Sequence, residues 1–107
     1  MIVEVPLQLA AMPTAPTLGQ VYASLAAAYA GEPFVEVMSL EAAAQTKTLD
    51  PEGLNGTNRM QLYVFGSETH RQVRLVALLD NLGKGASGAA VQNLNIMLGL
   101  PENAGLG

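Results

Sequence analysis

The amino-acid sequence predicts an α+β fold, in which a mostly antiparallel sheet carries helices on one face. Apolar and polar side chains alternate near the N terminus, as in a strand with one buried face. After residue 17 the apolar residues recur at helical spacing, and two later β-prone runs flank a short polar connection. The resulting order of strand, helix, three strands and helix favours antiparallel pairing with the helices packed on the sheet.

The length and charge of the chain limit its organisation and its partners. A chain of 107 residues allows one domain, residues 1–107. Half of the residues are apolar and 13% are charged, which favours a buried partner surface and a homo-oligomer. The net charge is -4 and no basic run is present to follow a phosphate backbone, so nucleic acid is excluded as a partner.

The composition also restricts the chemistry. With no cysteine and a single histidine, the chain offers no thiolate nucleophile and no zinc site, so we assign it no catalytic residue and no metal ligand. Its N terminus lacks the pattern of a signal peptide, and no apolar run approaches the roughly 20 residues of a membrane span. We therefore expect a soluble, cytoplasmic chain without a membrane partner.

The first elements are predicted from alternation and capping. Val3, Val5, Leu7 and Leu9 define the first strand, and Pro6 places it at a sheet edge because proline has no N–H to donate. A capping box of Thr17 and Gln20 begins a helix over residues 18–30, which stops at Gly31.

The middle of the chain reads as a short strand, a long loop and a hairpin. Residues 34–38 are β-prone, and the polar and turn residues over 39–58 predict a long loop. Strands over 60–65 and 72–79, joined by residues 66–70, predict an antiparallel hairpin. The second of these strands is apolar on both faces toward Leu79, so it is expected to deliver Asp80 and Asn81 to a buried or interfacial position.

The C-terminal part combines a glycine-rich turn with a final helix. Apolar residues from Val91 to Leu98 predict a helix that stops at Gly99, and residues 102–107 resemble a frayed terminus. Residues 81–88, here called the glycine-rich turn, contain the pattern G-x-G-x-x-G between a strand and a helix. A Rossmann unit would need a second parallel strand after this helix, and the chain has none there.

The glycine-rich turn has two interpretations. A helix start offers free amides and a positive dipole end to an anion, Lys84 adds a charge, and Asn81 can pair with a carboxamide. Alternatively, the glycines only form a tight strand-to-helix turn, with Lys84 in solvent.

The glycine-rich turn and several other stretches of the sequence resemble a known family. Residues 79–95 resemble the C-terminal signature of N-acetyl-γ-glutamyl-phosphate reductases, and residues 29–35, 45–47 and 56–58 resemble other parts of the same family. The resemblance covers nearly the whole chain.

This resemblance implies an NADP-dependent enzyme of arginine biosynthesis that reduces an acyl phosphate to N-acetyl-glutamate semialdehyde. Such enzymes join a Rossmann domain to an α+β catalytic and dimerisation domain like that of glyceraldehyde-3-phosphate and aspartate-semialdehyde dehydrogenases. Their nucleophile is a cysteine, which this chain lacks. The chain then corresponds to a C-terminal fragment, inactive in isolation, whose partners are the N-terminal Rossmann domain, the acyl phosphate and further copies of itself.

The resemblance also implies cofactor-binding residues. Asn81 corresponds to an asparagine near the nicotinamide carboxamide, and the glycines line the approach of the cofactor. With Lys84 and Ser87 added from the same turn, the candidate cofactor-binding residues are Asn81, Gly83, Lys84, Gly85 and Ser87.

Other polar residues have more ordinary interpretations. We interpret His70 as a solvated loop residue, Tyr22 and Tyr29 as core or interface residues, and Arg59 as part of a surface or interdomain ion pair. Asp80 is expected to accept backbone amides or order the turn. The remaining polar residues of the last helix are expected to bond across a subunit or domain boundary: Gln92, Asn93 and Asn95.

Two alternatives remain at this point. The chain can be a free-standing module that binds a phosphate-bearing ligand or forms oligomers. It can also be a relative of aspartate-semialdehyde dehydrogenase, although the run over residues 91–95 argues against that.

Overall fold

The computed structural model describes residues 1–106 and shows a single four-stranded sheet with the strand order β1-β4-β3-β2. The strands β1 and β3 both pair antiparallel with β4, and β2 pairs parallel with β3. The predicted α+β fold with a mostly antiparallel sheet is therefore confirmed. The elements, in chain order, are β1 (Ile2–Gln8), α1 (Leu18–Ala28), β2 (Val35–Val37), α2 (Leu40–Gln45), β3 (Met60–Ser67), β4 (Gln72–Leu79) and α3 (Gly88–Met97).

The strand β1 lies at an edge of the sheet, as Pro6 predicted. Leu9 donates its N–H to the Arg71 carbonyl, and the Met1 carbonyl accepts from the N–H of Leu79. Because the backbone groups of successive residues point in opposite directions, the odd-numbered residues of β1 form the hydrogen bonds to β4. Pro6 consequently faces the free edge, where its missing N–H removes one donor that a further strand would use.

The helix α1 begins at the predicted capping box. Gln20 donates its N–H to Thr17 Oγ1 at 3.1 Å, and Thr17 donates its own N–H to Gln20 Oε1 at 2.8 Å. The helix packs Leu18, Val21 and Leu25 against a core cluster of Leu9, Val64 and Val73. It ends at Ala28, two residues before the predicted end.

The prediction of a long loop over residues 39–58 is wrong for residues 40–45, which form α2. Ser39 Oγ accepts from the N–H of Ala42 and caps α2, which places Ala43 in a second core cluster with Tyr63 and Val76. The helix escaped prediction because six residues rich in alanine show no apolar stripe. Helix α2 packs beside β3 and contributes Leu40 to the cluster under α1, so it borders both core clusters.

The hairpin of β3 and β4 is confirmed, with a shorter turn than predicted. Gly66 and Ser67 still pair with Val73 and Gln72, so the connection is residues 68–71. The end of β4 is buried at Leu78 and Leu79, as its apolar sequence predicted.

Beyond β4, the chain does not enter an α-helix directly. A π-helical turn, Gly83–Ser87, precedes α3. The helix α3 ends before Gly99, which adopts the left-handed backbone conformation. Helix α3 continues directly from that turn and leaves Leu94, Ile96 and Met97 exposed. None of the helices within residues 1–106 combines the length and apolar character that a bilayer crossing requires.

Candidate functional site

The carboxylate of Asp80 organises the start of the glycine-rich turn. Its Oδ2 accepts from the N–H of Gly56 at 3.0 Å, and its Oδ1 accepts from the N–H of Leu82 at 3.1 Å. These bonds, the Gly56 bond first, lower the pKa of Asp80 because they favour the ionised carboxylate. The interpretation of Asp80 as a residue that accepts backbone amides is confirmed.

Most backbone amides of the glycine-rich turn are already used within the chain. Gly85 donates to the Asp80 carbonyl at 3.0 Å, Ser87 to the Leu82 carbonyl at 3.1 Å, and Gly88 to the Gly83 carbonyl. The interpretation in which the helix start offers free amides to an anion is therefore wrong for these three amides. The π-helical turn satisfies them before α3 begins.

Two of the glycines are required by close packing. A Cβ atom on Gly83 would collide with the Thr57 carbonyl oxygen, and one on Gly88 would collide with Asn58 Oδ1 and the Gly83 backbone. At Gly85 the nearest atom would be Asn81 Oδ1, at 3.1 Å, which belongs to a movable side chain. The glycines at 83 and 88 thus serve the tight turn itself.

A shallow cleft of about 330 Å³ opens beside the turn. Its walls are formed by residues 56–58, by part of the segment 80–88 and by Gly105 and Leu106. Gly83 and Ser87, both candidate cofactor-binding residues, line this cleft together with Asp80. Among the residues that the structure describes, no lysine or arginine lines it.

Asn81 lies outside the cleft lining, on the exposed surface of the turn. Within residues 1–106 its side chain makes no hydrogen bond, although its Oδ1 lies over the open side of Gly85. Leu82 beside it is 75% exposed. Asn81, Leu82 and Gly85 therefore form an open surface that another domain can cover.

Lys84 points away from the cleft. Its Nζ donates to Gln92 Oε1 at 2.6 Å and lies 5.8 Å from the centroid of the Phe34 ring. The ammonium group is half-buried and engaged inside the chain, so it does not stand beside the glycines as a free charge.

The polar residues of α3 form bonds within the chain. Gln92 Oε1 also accepts from Asn58 Nδ2 at 2.8 Å, and Gln92 Nε2 donates to Glu102 Oε1 at 2.7 Å. Asn95 is buried and donates to the Glu102 and Ala104 carbonyls, both at 2.9 Å. The prediction that Gln92 and Asn95 bond across a boundary is wrong; Asn93 is exposed.

The same bonds hold residues 102–106, here called the C-terminal tail, against α3. Leu106 also donates its N–H to the Asn103 carbonyl at 3.0 Å. The prediction of a frayed end is therefore wrong for residues 102–106, and its last residue, Gly107, lies outside the described residues.

The other candidate residues lie away from this site. Arg59 pairs with Glu36 at 3.1 Å, with both side chains half exposed, which confirms a surface ion pair. His70 is exposed in the hairpin turn, where its Nδ1 lies 3.0 Å from Ser67 Oγ. Tyr22 packs on the core, as expected. Residues 1–106 contain no cluster of side chains suited to bind a metal ion.

Residues 56–58 belong to the site but were not predicted to. These residues form a turn that is distant from the glycines in sequence. In the folded chain this turn contacts Asp80 and Gly83. The one signal was the resemblance of Gly56-Thr57-Asn58 to a family loop, which did not indicate where this loop lies in the fold.

Comparisons with known proteins identify the family of the chain. A family model described as semialdehyde dehydrogenase, dimerisation domain, matches residues 1–81. Proteins named N-acetyl-gamma-glutamyl-phosphate reductase from Brucella ovis, Brucella canis and Brucella abortus are each 58% identical over 99 residues. That match covers 92% of this chain and 32% of each relative, so the chain spans about a third of their length. The resemblance seen in the sequence is confirmed, and the chain belongs to the semialdehyde dehydrogenase dimerisation-domain family.

Proposed function

We propose that this chain is the C-terminal part of an NADP-dependent reductase that converts N-acetyl-glutamyl phosphate to N-acetyl-glutamate semialdehyde in arginine biosynthesis. The observation that carries the proposal is the 58% identity over 99 residues to proteins named N-acetyl-gamma-glutamyl-phosphate reductase. An aligned stretch of that length within 107 residues includes the glycine-rich turn wherever it begins.

The chain's own part in such a reaction is to position the cofactor. Lacking cysteine, it does not supply the thiol that attacks the acyl phosphate, and NADPH, when bound, supplies the hydride. Asn81 offers both a donor and an acceptor on an open surface, which suits the carboxamide of a nicotinamide ring. Gly85 leaves the space beside this side chain free.

The electrostatics of the cleft favour a neutral, donor-bearing group over a phosphate. The cleft contains the Asp80 carboxylate, and no lysine or arginine lines it among the described residues. The cofactor phosphates are therefore assigned to another part of the parent protein. The alternative of a free-standing phosphate-binding module is less favoured, because the amides of Leu82, Gly85 and Ser87 donate to carboxylate and carbonyl oxygens of the chain itself.

Exposed apolar side chains support assembly with further protein. Val3 and Val5 lie half exposed within the segment matched to a dimerisation domain, and we assign them to contact between copies of the chain. Leu94, Ile96 and Met97 lie beyond that segment, and we assign them to contact with the Rossmann domain of the same parent chain.

A chimera tests the proposal directly. The matching third of the Brucella ovis relative is replaced by this chain, and NADPH oxidation is followed with N-acetyl-glutamyl phosphate. We expect acyl phosphate-dependent turnover, and we expect none from the isolated chain. A chimera that folds but does not turn over would contradict the proposal, provided that the relative rebuilt with its own segment at the same junction is active.

A further inference from the structure

Gln92 is the point at which separate segments of the site meet. Its Oε1 accepts from Lys84 Nζ at 2.6 Å and from Asn58 Nδ2 at 2.8 Å, while its Nε2 donates to Glu102 Oε1 at 2.7 Å. All three bonds are partly buried. A single carboxamide thus joins the glycine-rich turn, the loop before β3 and the C-terminal tail.

The segments joined by Gln92 are the walls of the cleft. Residues 56–58 form one wall, residues of the segment 80–88 form another, and Gly105 with Leu106 closes the third. Gln92 itself does not line the cleft. It can therefore influence a bound group only through the positions of these walls.

We infer that Gln92 is a positioning residue, and that the C-terminal tail sets the geometry of the glycine-rich turn through the Glu102–Gln92–Lys84 chain of hydrogen bonds. The link to cofactor placement rests on the proposed function. The link between the tail and the turn rests on the hydrogen bonds alone.

The chemistry of the carboxamide explains why this position needs glutamine. Its oxygen must accept from a cation and an amide, while its nitrogen must donate to a carboxylate. Methionine would keep the length but leave all three partners without a bond. Glutamate would keep the contact with Lys84 but place a second carboxylate against Glu102.

Exchanging the carboxamide of Gln92 and the carboxylate of Glu102 between the two positions tests the inference. In the full-length protein that carries this chain, Gln92→Glu breaks the contact with Glu102. Glu102→Gln alone preserves an acceptor for Gln92 Nε2. The double variant restores the bond in reversed polarity, because the carboxamide introduced at position 102 donates to the carboxylate introduced at position 92. Rescue by the double variant is a result that simple loss of packing would not produce.

Amide hydrogen exchange reads the geometry of the turn without using activity. We expect the amides of Gly85 and Ser87 to exchange about tenfold faster in Gln92→Glu, the effect of losing one charge-assisted bond, and to return toward wild type in the double variant. The amides of Val73 and Val76 in the buried strand β4, which pairs on both sides, serve as the internal reference and are expected to change little. Equal acceleration at all four amides, or no rescue, would overturn the inference.

Steady-state kinetics on the wild type, the two single variants and the double variant test the link to the cofactor. We expect Gln92→Glu to raise KM for NADPH several-fold, with a smaller change in KM for the acyl phosphate, and the double variant to recover. If the wild type shows no reductase turnover while exchange follows the expected pattern, the proposed function fails and the tail-to-turn coupling stands. If the wild type is active and KM does not change in any variant, the positioning role for the cofactor is refuted.

Discussion

Gly56 donates its backbone N–H to the carboxylate of Asp80 at 3.0 Å, across 24 residues of chain. The bond ties the loop before β3 to the end of β4, where the glycine-rich turn begins. The other carboxylate oxygen accepts from Leu82 at 3.1 Å, so one side chain holds both the loop and the turn. Several expected properties of the molecule depend on this junction.

Asp80→Asn is expected to destabilise the fold in a pH-dependent way. Because hydrogen bonding lowers the pKa of Asp80 in the folded state, its stabilisation is present above the unfolded pKa and is lost as the pH falls through the folded pKa. The melting temperature of Asp80→Asn should lie below wild type at neutral pH, and the two should converge below the usual carboxyl range.

Thermal denaturation followed by circular dichroism from neutral to acidic pH measures this difference. Asp50→Asn is the matched control, since it removes the same charge from a turn where the carboxylate accepts from Glu52 only two residues away. A constant gap between Asp80→Asn and wild type at every pH would contradict the assigned role.

Gly88→Ala is expected to destabilise the chain by about 1–3 kcal/mol, the usual cost of an overpacked site. The added methyl group would collide with the Gly83 backbone and with Asn58 Oδ1, whose side chain is buried and bonded to Gln92. Gly85→Ala is the control, because the atom nearest its new methyl group is the end of the Asn81 side chain. Urea denaturation of both variants measures their free energies of unfolding. Equal losses of stability would show that the close contact at Gly88 does not cause the destabilisation.

Asn81→Ala is expected to lower kcat of the active chimera by about tenfold to a hundredfold, because hydride transfer depends on the orientation of donor and acceptor. The fold should keep its stability, since Asn81 is exposed and its side chain makes no hydrogen bond within residues 1–106. Stopped-flow measurement of NADPH oxidation tests this. Asn93→Ala, an exposed asparagine on α3, should leave the rate unchanged, and a rate equal to wild type in Asn81→Ala would remove Asn81 from the site.

The isolated chain is expected to associate with itself at high concentration through its exposed apolar side chains. Met97, which is 81% exposed at the end of α3, is the most open of them, because the Rossmann domain proposed to cover it is missing from the isolated chain. Met97→Glu should shift sedimentation velocity profiles toward the monomer. Asn93→Glu adds the same charge to the same helix without removing an apolar group, so it should behave as wild type. Profiles that are monomeric for the wild type would refute the expectation.

Local chemistry accounts for what the sequence predicted correctly. The alternation of Val3, Val5 and Leu7, the capping box of Thr17 and Gln20, and the hairpin strands each depend on residues close together in the chain. The same holds for the edge position of Pro6, which follows from its missing donor. Helix α2 was missed because its short alanine-rich segment carries no periodic signal and is held by burial of Ala43.

The sequence by itself determined the fold class, the order of most elements and the family, because those are recorded in local patterns and in the run from Asp80 to Asn95. Only the tertiary structure decided how the polar groups are used. It placed a π-helical segment in the glycine-rich turn, where most amides donate within the chain, directed Lys84 toward Gln92, and anchored the C-terminal tail through Asn95. These outcomes depend on donors and acceptors that are distant in sequence, and a buried polar group takes whichever partner the folded chain brings within reach.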